Sequence, residues 1–228
     1  MRRTAFLPVA LLLLGPLVGA AALVVPRANA AGTTVALWHM DEAAGANTMA
    51  DSASNHPGNL TNVQSGVAGF QGNAYRFNGN SSKVVVPSSG GFGIGNADFS
   101  FTVHVNFSNV PSQAVGDYDL LRGTPGGAYK LEIVARKSRS IAEASCFFHG
   151  TAAKTVLTAG PNLADNSWHT LRCEKTASAV HLVVDGQTFT KAVTIGSISN
   201  ASPLSLGAKS GGGDWYDGLM DEVSISVG

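Results

Sequence analysis

From Phe99 to Phe107 apolar and polar positions alternate without a break: Phe99, Phe101, Val103, Val105 and Phe107 fall on one face, Ser100, Thr102, His104 and Asn106 on the other. A period of two marks a strand with one face buried and one face wet. The same period recurs in Tyr129 to Val134, Ala144 to Phe148, Trp168 to Glu174 and Ala179 to Val184, and each run is bounded by Gly, Asn, Asp or Pro. Short strands at this spacing predict an all-β sandwich or barrel. No stretch beyond residue 30 keeps a helical period over three turns. Asp185-Gly186, between Val180–Val184 and Thr188–Thr190, predicts a tight hairpin whose turn needs positive φ. Arg136 to Ser140 closes another, whose Arg136, Lys137 and Arg139 make a small basic tip, either an anion contact or a solvated loop.

The first thirty residues read differently. Arg2 and Arg3 precede an apolar run from Ala5 to Val25, and Ala28-Asn29-Ala30 offers a small-x-small cleavage pattern, so residues 1–30 are predicted to be a signal peptide cut after Ala30. The alternative is an uncleaved membrane anchor, against which Pro8 and Pro16 interrupt the run and no stop-transfer charge follows. A twin-arginine signal fits less well, because Phe6 sits one place too far from Arg2-Arg3. Residues 31–228 are then one exported domain, secreted and free of the membrane once cleaved. Arg2, Arg3 and Arg27 go with the signal while all acids stay, leaving a net charge of −3. Phosphate neutralisation needs a clustered basic surface, so nucleic acid is excluded as a partner. Cys146 and Cys173 are the only cysteines, and in an exported chain such a pair is read as a disulfide, with two buried thiols as the alternative. Each shares parity with the apolar face of its strand, where a bridge to a neighbouring strand is expected.

Several segments, read in order, carry a resemblance. They are Ala36-Leu37-Trp38-His39-Met40-Asp41-Glu42 with Asp51-Ser52-Ala53-Ser54-Asn55; Gly72-Asn73-Ala74-Tyr75-Arg76-Phe77-Asn78-Gly79 with Val84-Val85-Val86-Pro87; Phe99-Ser100-Phe101-Thr102-Val103; Trp168-His169-Thr170-Leu171; Val183-Val184-Asp185-Gly186; and Gly218-Leu219-Met220-Asp221-Glu222-Val223. Together they resemble the laminin-G-like family of concanavalin A-like fold, over about Val35 to Val227. The resemblance implies a two-sheet antiparallel jelly roll with first and last strands side by side. Cysteines placed around the Trp168-His169 segment are similar to those of a subset of bacterial members.

The same resemblance implies a Ca²⁺ at a rim of the sandwich, with Asp51 as first candidate ligand and Asp41 and Asp221 joining it, in a structural role over the long loop region from Ala43 to Gly72. The alternative is that Asp51 forms a turn with Ser52 and Asn55 while Asp41 and Asp221 cap strand ends. The six histidines are scattered, and His169 is expected to pack and hydrogen-bond. Neither the Glu-x-Asp-x-x-Glu strand of related glucanases nor a Gly-x-Ser-x-Gly elbow occurs, so no catalytic residue is assigned. The nearest substitute is Glu132 with Glu143, in a register that sequence leaves open. For ligand binding, Trp215 and Asp214 in the Gly-rich loop Ser210 to Tyr216 come first, and Tyr118 and Asp119 second. Tyr216 is expected in the core. The expectation is a non-catalytic module that recognises carbohydrate or an extracellular protein through rim loops. A polysaccharide hydrolase or lyase and a self-assembling surface protein are the rival readings.

Overall fold

The computed structural model describes residues 32–87, 92, 94–123, 128–199 and 202–228. The signal peptide expected over residues 1–30 lies outside them. The strands among the described residues are β1 (Thr33–Trp38), β2 (Thr48–Met49), β3 (Gly58–Thr61), β4 (Gln64–Ala68), β5 (Asn73–Asn78), β6 (Lys83–Val86), β7 (Phe99–Asn106), β8 (Tyr118–Gly123), β9 (Tyr129–Arg136), β10 (Ile141–His149), β11 (Lys154–Ala159), β12 (Trp168–Lys175), β13 (Ala179–Val184), β14 (Gln187–Ala192), β15 (Leu204–Leu206) and β16 (Asp217–Val227). They form two eight-stranded antiparallel sheets. Sheet one runs β14-β13-β12-β7-β16-β5-β4 with β1 also paired to β16; sheet two runs β11-β10-β9-β8-β15-β6-β3-β2. The first and last strands are neighbours, as the resemblance implied, with Thr33 opposite Val227 and Trp38 opposite Val223.

Alternation decides which face of each strand packs. Phe99, Phe101, Val103 and Val105 of β7 are buried against Tyr129, Leu131 and Ile133 of β9 and Phe148 of β10. Rings interlock across the layers, with Phe99 and Tyr129 4.8 Å apart in an edge arrangement. A second aromatic cluster closes one end, where Tyr118 meets Phe107 at 6.1 Å and Tyr216 at 5.7 Å. Tyr216 is in the core as expected.

Cys146 and Cys173 are bonded, with Cα atoms 5.7 Å apart. The bridge does not join neighbouring strands of one sheet. Cys146 lies on β10 of sheet two and Cys173 on β12 of sheet one, so the bond staples the two layers through the core. Parity identified the face of each strand but not the sheet that face looks toward. By chain entropy, closing a loop of this length contributes about 3 kcal/mol.

Two hairpins follow the sequence reading. Asp185 and Gly186 take φ of 48° and 83° between β13 and β14. Lys137, Ser138 and Arg139 all lie in the left-handed region between β9 and β10. The latter tip is anchored rather than free, since Arg139 Nη1 donates to Pro111 O at 2.9 Å.

Candidate functional site

On sheet two, the face turned away from the core carries an uncommon concentration of buried polar groups. On β9, Tyr129, Leu131 and Ile133 take the core, which leaves Lys130 and Glu132 on the outer face. On β8 the alternation breaks: Leu120 and Leu121 are both fully buried, and the register to β9 shifts between Asp119 and Leu121. That bulge brings Asp119 and Arg122, three residues apart, to one face. Asp119 then stands opposite Glu132, Arg122 opposite Lys130, and Ser205 of β15 opposite Arg122. Ser145 of β10 faces Glu132 from the other side.

Within the group, Arg122 Nη1 holds Asp119 Oδ2 at 2.9 Å and Lys130 pairs with Glu132. Asp119 and Ser205 are fully buried and Glu132 is nearly so. Burial pushes the carboxyls of Asp119 and Glu132 above the usual range, against the pull of Arg122 and Lys130. Among the described residues, three buried atoms have no hydrogen-bond partner: Asp119 Oδ1, Arg122 Nε and Ser205 Oγ. Native proteins rarely leave such atoms unmatched, so a cluster of them on one patch points to something that completes it. The group reaches solvent through the side chains of Arg122 and Lys130, each 20% exposed. Phe147 borders it, its ring between Lys130 Nζ at 5.9 Å and Lys154 Nζ at 5.5 Å.

The sequence candidates for ligand binding divide. Asp119 belongs to this cluster, and its amide donates to Asp214 O at 2.9 Å, which ties the Gly-rich loop to β8. Tyr118 is not a surface residue. Only 4% exposed, it packs in the aromatic core because the strand turns Asp119 outward and its neighbour inward. Asp214 takes φ of 51° and pairs with Lys209 at 2.7 Å. Trp215 is half-buried and packs over its own loop, where a β-carbon on Gly212 would come within 3.1 Å of the ring. Glu132 and Glu143 share the outer face, since Glu132 faces Ser145 and Glu143 faces Val134, and Glu143 lies 3.6 Å from Arg136. Arg122, Lys130 and Ser205 escaped the sequence reading. The only signal for them was the paired Leu120-Leu121 that breaks the alternation in β8.

The aspartates proposed for calcium serve the backbone instead. Asp51 Oδ1 accepts Leu37 N and Ala53 N, both at 2.9 Å, and Oδ2 accepts His56 N at 3.1 Å with His56 Nδ1 at 2.9 Å. Burial pushes its carboxyl up, but these donors prevail and hold it below the ordinary range. Asp41 Oδ1 accepts Asn73 N at 2.7 Å, and Asp221 accepts Gln71 N and Glu222 N, both at 2.9 Å. Asp41 and Asp221 thus converge on one turn, whereas Asp51 organises another. Among the described residues no three His, Cys, Asp or Glu side chains are grouped to hold a metal ion. Carboxylates already filled by amides do not suit a hard cation that wants six or more oxygens. The donor set does not fit Ca²⁺.

His169 hydrogen-bonds as expected, its Nδ1 to Asp185 Oδ2 at 2.7 Å and its Nε2 to Asp165 Oδ1 at 3.0 Å. Burial lowers its affinity for a proton, but the two carboxylates outweigh this and raise it.

Residues 78–227 match the family described as the concanavalin A-like lectin/glucanases superfamily. No curated protein matches the chain in sequence. Among solved structures, the binding domain of Paraclostridial Mosquitocidal Protein 1 is similar over 86% of this chain and 48% of its own, at 16% identity and a TM-score of 0.64. Domain 4 of AbnA, an extracellular arabinanase from Geobacillus stearothermophilus in complex with arabinotriose, is similar over 87% and 94%, at 17% identity and 0.59. The binding domain of Botulinum neurotoxin DC, in complex with rat synaptotagmin II, is similar over 85% and 48%, at 11% identity and 0.64. The chain spans about half the length of these toxin domains and nearly all of the arabinanase domain. At these identities the likeness is one of fold.

Proposed function

The chain belongs to the concanavalin A-like lectin/glucanases superfamily, and on that footing we propose that it is an extracellular, non-catalytic module that holds a neutral saccharide on the outer face of sheet two. One observation carries the reading: Asp119 Oδ1, Arg122 Nε and Ser205 Oγ, from adjacent strands, are buried without partners. A sugar hydroxyl donates and accepts at once. It can meet the solvent-facing parts of Arg122 and Lys130, each 20% exposed, and it reaches the buried Asp119 Oδ1, Arg122 Nε and Ser205 Oγ once those two side chains swing aside. Two carboxylates and two cations balance in the cluster, which favours an uncharged polyol over an ionic ligand. The arabinanase domain that binds arabinotriose supports this choice, and the cross-layer disulfide supports an oxidising, extracellular setting.

Calorimetric titration of the protein with neutral oligosaccharides, arabinotriose among them, tests the reading. Binding should weaken roughly tenfold in Ser205→Ala and in Arg122→Lys, the loss expected when a single buried hydrogen bond fails. Binding to none of them, or binding unchanged in both variants, overturns it.

One observation favours hydrolysis as a second reading. Asp119 faces Glu132, and Glu143 shares their surface, with Asp119 and Glu132 both raised as a general acid requires. Release of reducing ends from polysaccharide that is abolished in Glu132→Gln would establish it in place of simple binding.

A further inference from the structure

The turn between β4 and β5 is gripped by two aspartates. Asp221, fully buried, accepts Gln71 N, and Asp41 accepts Asn73 N. A β-carbon on Gly69 would come within 2.7 Å of Asp221 Oδ2, and one on Gly72 within 2.3 Å of Asp41 Oδ1. The turn closes onto its carboxylates because both positions are glycine. In β16, the register shift after Asp221, with Glu222 at φ of 47°, releases this carboxylate from the strand's alternation.

What this fixture presents is Phe70, 49% exposed. One face of its ring stacks on His104 of β7, with centroids 4.3 Å apart and planes at 25°, and its flank meets Trp168 of β12 at 6.0 Å. His104 and Trp168 occupy the outer face of sheet one, on the far side of the sandwich from the cluster around Asp119. Phe70 covers one face of His104 and still leaves about half of its own surface to solvent beside Trp168, so the three rings together offer an apolar surface on an otherwise polar sheet face.

We propose that Phe70, His104 and Trp168 form a second saccharide platform, which takes the apolar face of a single sugar ring. The size of the patch selects the ligand. Phe70 and Val156 are the exposed large hydrophobics among the described residues, and Val156 lies on β11 of the other sheet. A stable protein interface buries roughly 800 Å² per partner, whereas one aromatic side chain supplies about 150–250 Å². The surroundings are amide and hydroxyl: Gln71 follows Phe70, Asn106 stands opposite Trp168, and Thr170 opposite His104. Such groups meet the equatorial hydroxyls of a ring whose C–H face lies on the aromatics. Because the turn is already fixed, little ordering opposes binding.

A glycan array followed by calorimetry on the intact protein, Phe70→Ala, Phe70→Trp and Ser205→Ala tests this. Phe70→Ala should weaken at least one neutral oligosaccharide roughly tenfold or more while the protein stays folded, with a single cooperative melting transition. Phe70→Trp should retain that binding, and Ser205→Ala should leave it intact, which separates this platform from the site on sheet two. The proposal is overturned if Phe70→Ala binds every glycan as the parent does, or if the parent binds none. It is likewise overturned if sedimentation shows self-association that Phe70→Ala abolishes, since the patch would then be a contact between copies.

Discussion

Asp119 and Glu132 face each other across β8 and β9, and each carboxylate is matched by its own cation, Arg122 for the first and Lys130 for the second. The arrangement tolerates two buried acids side by side only while both cations are present. Removing Arg122 strands a fully buried carboxylate.

Arg122→Met is therefore expected to cost about 3 kcal/mol at neutral pH, the usual penalty for one orphaned partner of a buried pair. The cost should shrink in acid, because Asp119, already raised by burial, becomes neutral there. Adding Asp119→Leu to Arg122→Met should restore most of the loss. Urea unfolding of the three proteins at two pH values checks all of this.

His169 sits between two carboxylates and its proton affinity is raised. A raised group contributes stability that is complete below its unfolded pKa and vanishes as pH climbs through the folded one. Melting temperature should thus fall as pH rises from about 6 to about 8. His39, raised by its hydrogen bond to Glu222, acts in the same direction. A protein carrying His39→Gln and His169→Gln should show a flatter profile over that window.

Cys146→Ala with Cys173→Ala removes the staple between layers. Stability should drop by about 3 kcal/mol in denaturant titration, and adding reductant should then have no further effect on the variant.

Asp51 binds two backbone amides through one oxygen and His56 through the other. Asp51→Ala should cost about 2–4 kcal/mol. EDTA should leave the parent's melting temperature unmoved, because these oxygens are already occupied. Asp51 is held below the ordinary carboxyl range, so its contribution should be present above the unfolded pKa and fade as pH falls through the folded one.

How much of this was legible beforehand depended on whether the information was local. Strict alternation located β7, β12 and β13, and Asp185-Gly186 located its turn, because parity and positive φ are written residue by residue. The bulge at Leu120 was not legible as geometry, and it decides that Asp119 faces outward while Tyr118 packs inward. The polar cluster draws on β8, β9 and β15, strands whose adjacency only the folded sheet creates. Phe70 gave no local sign either, since its exposure follows from two aspartates that approach its turn from distant positions. Asp51 was assigned a metal by resemblance, while the simpler local reading, a carboxylate that organises its own turn, is what the structure shows.

The antiparallel pairing of β1 with β16 brings Gly32 against Val227, so close that a β-carbon on Gly32 would lie 2.9 Å from the Val227 carbonyl carbon. The first and last of the described residues thus lie at a single corner. A sandwich wired in this way can be spliced into a surface loop of a larger protein, like a plug whose two prongs share one socket, without prying the host apart.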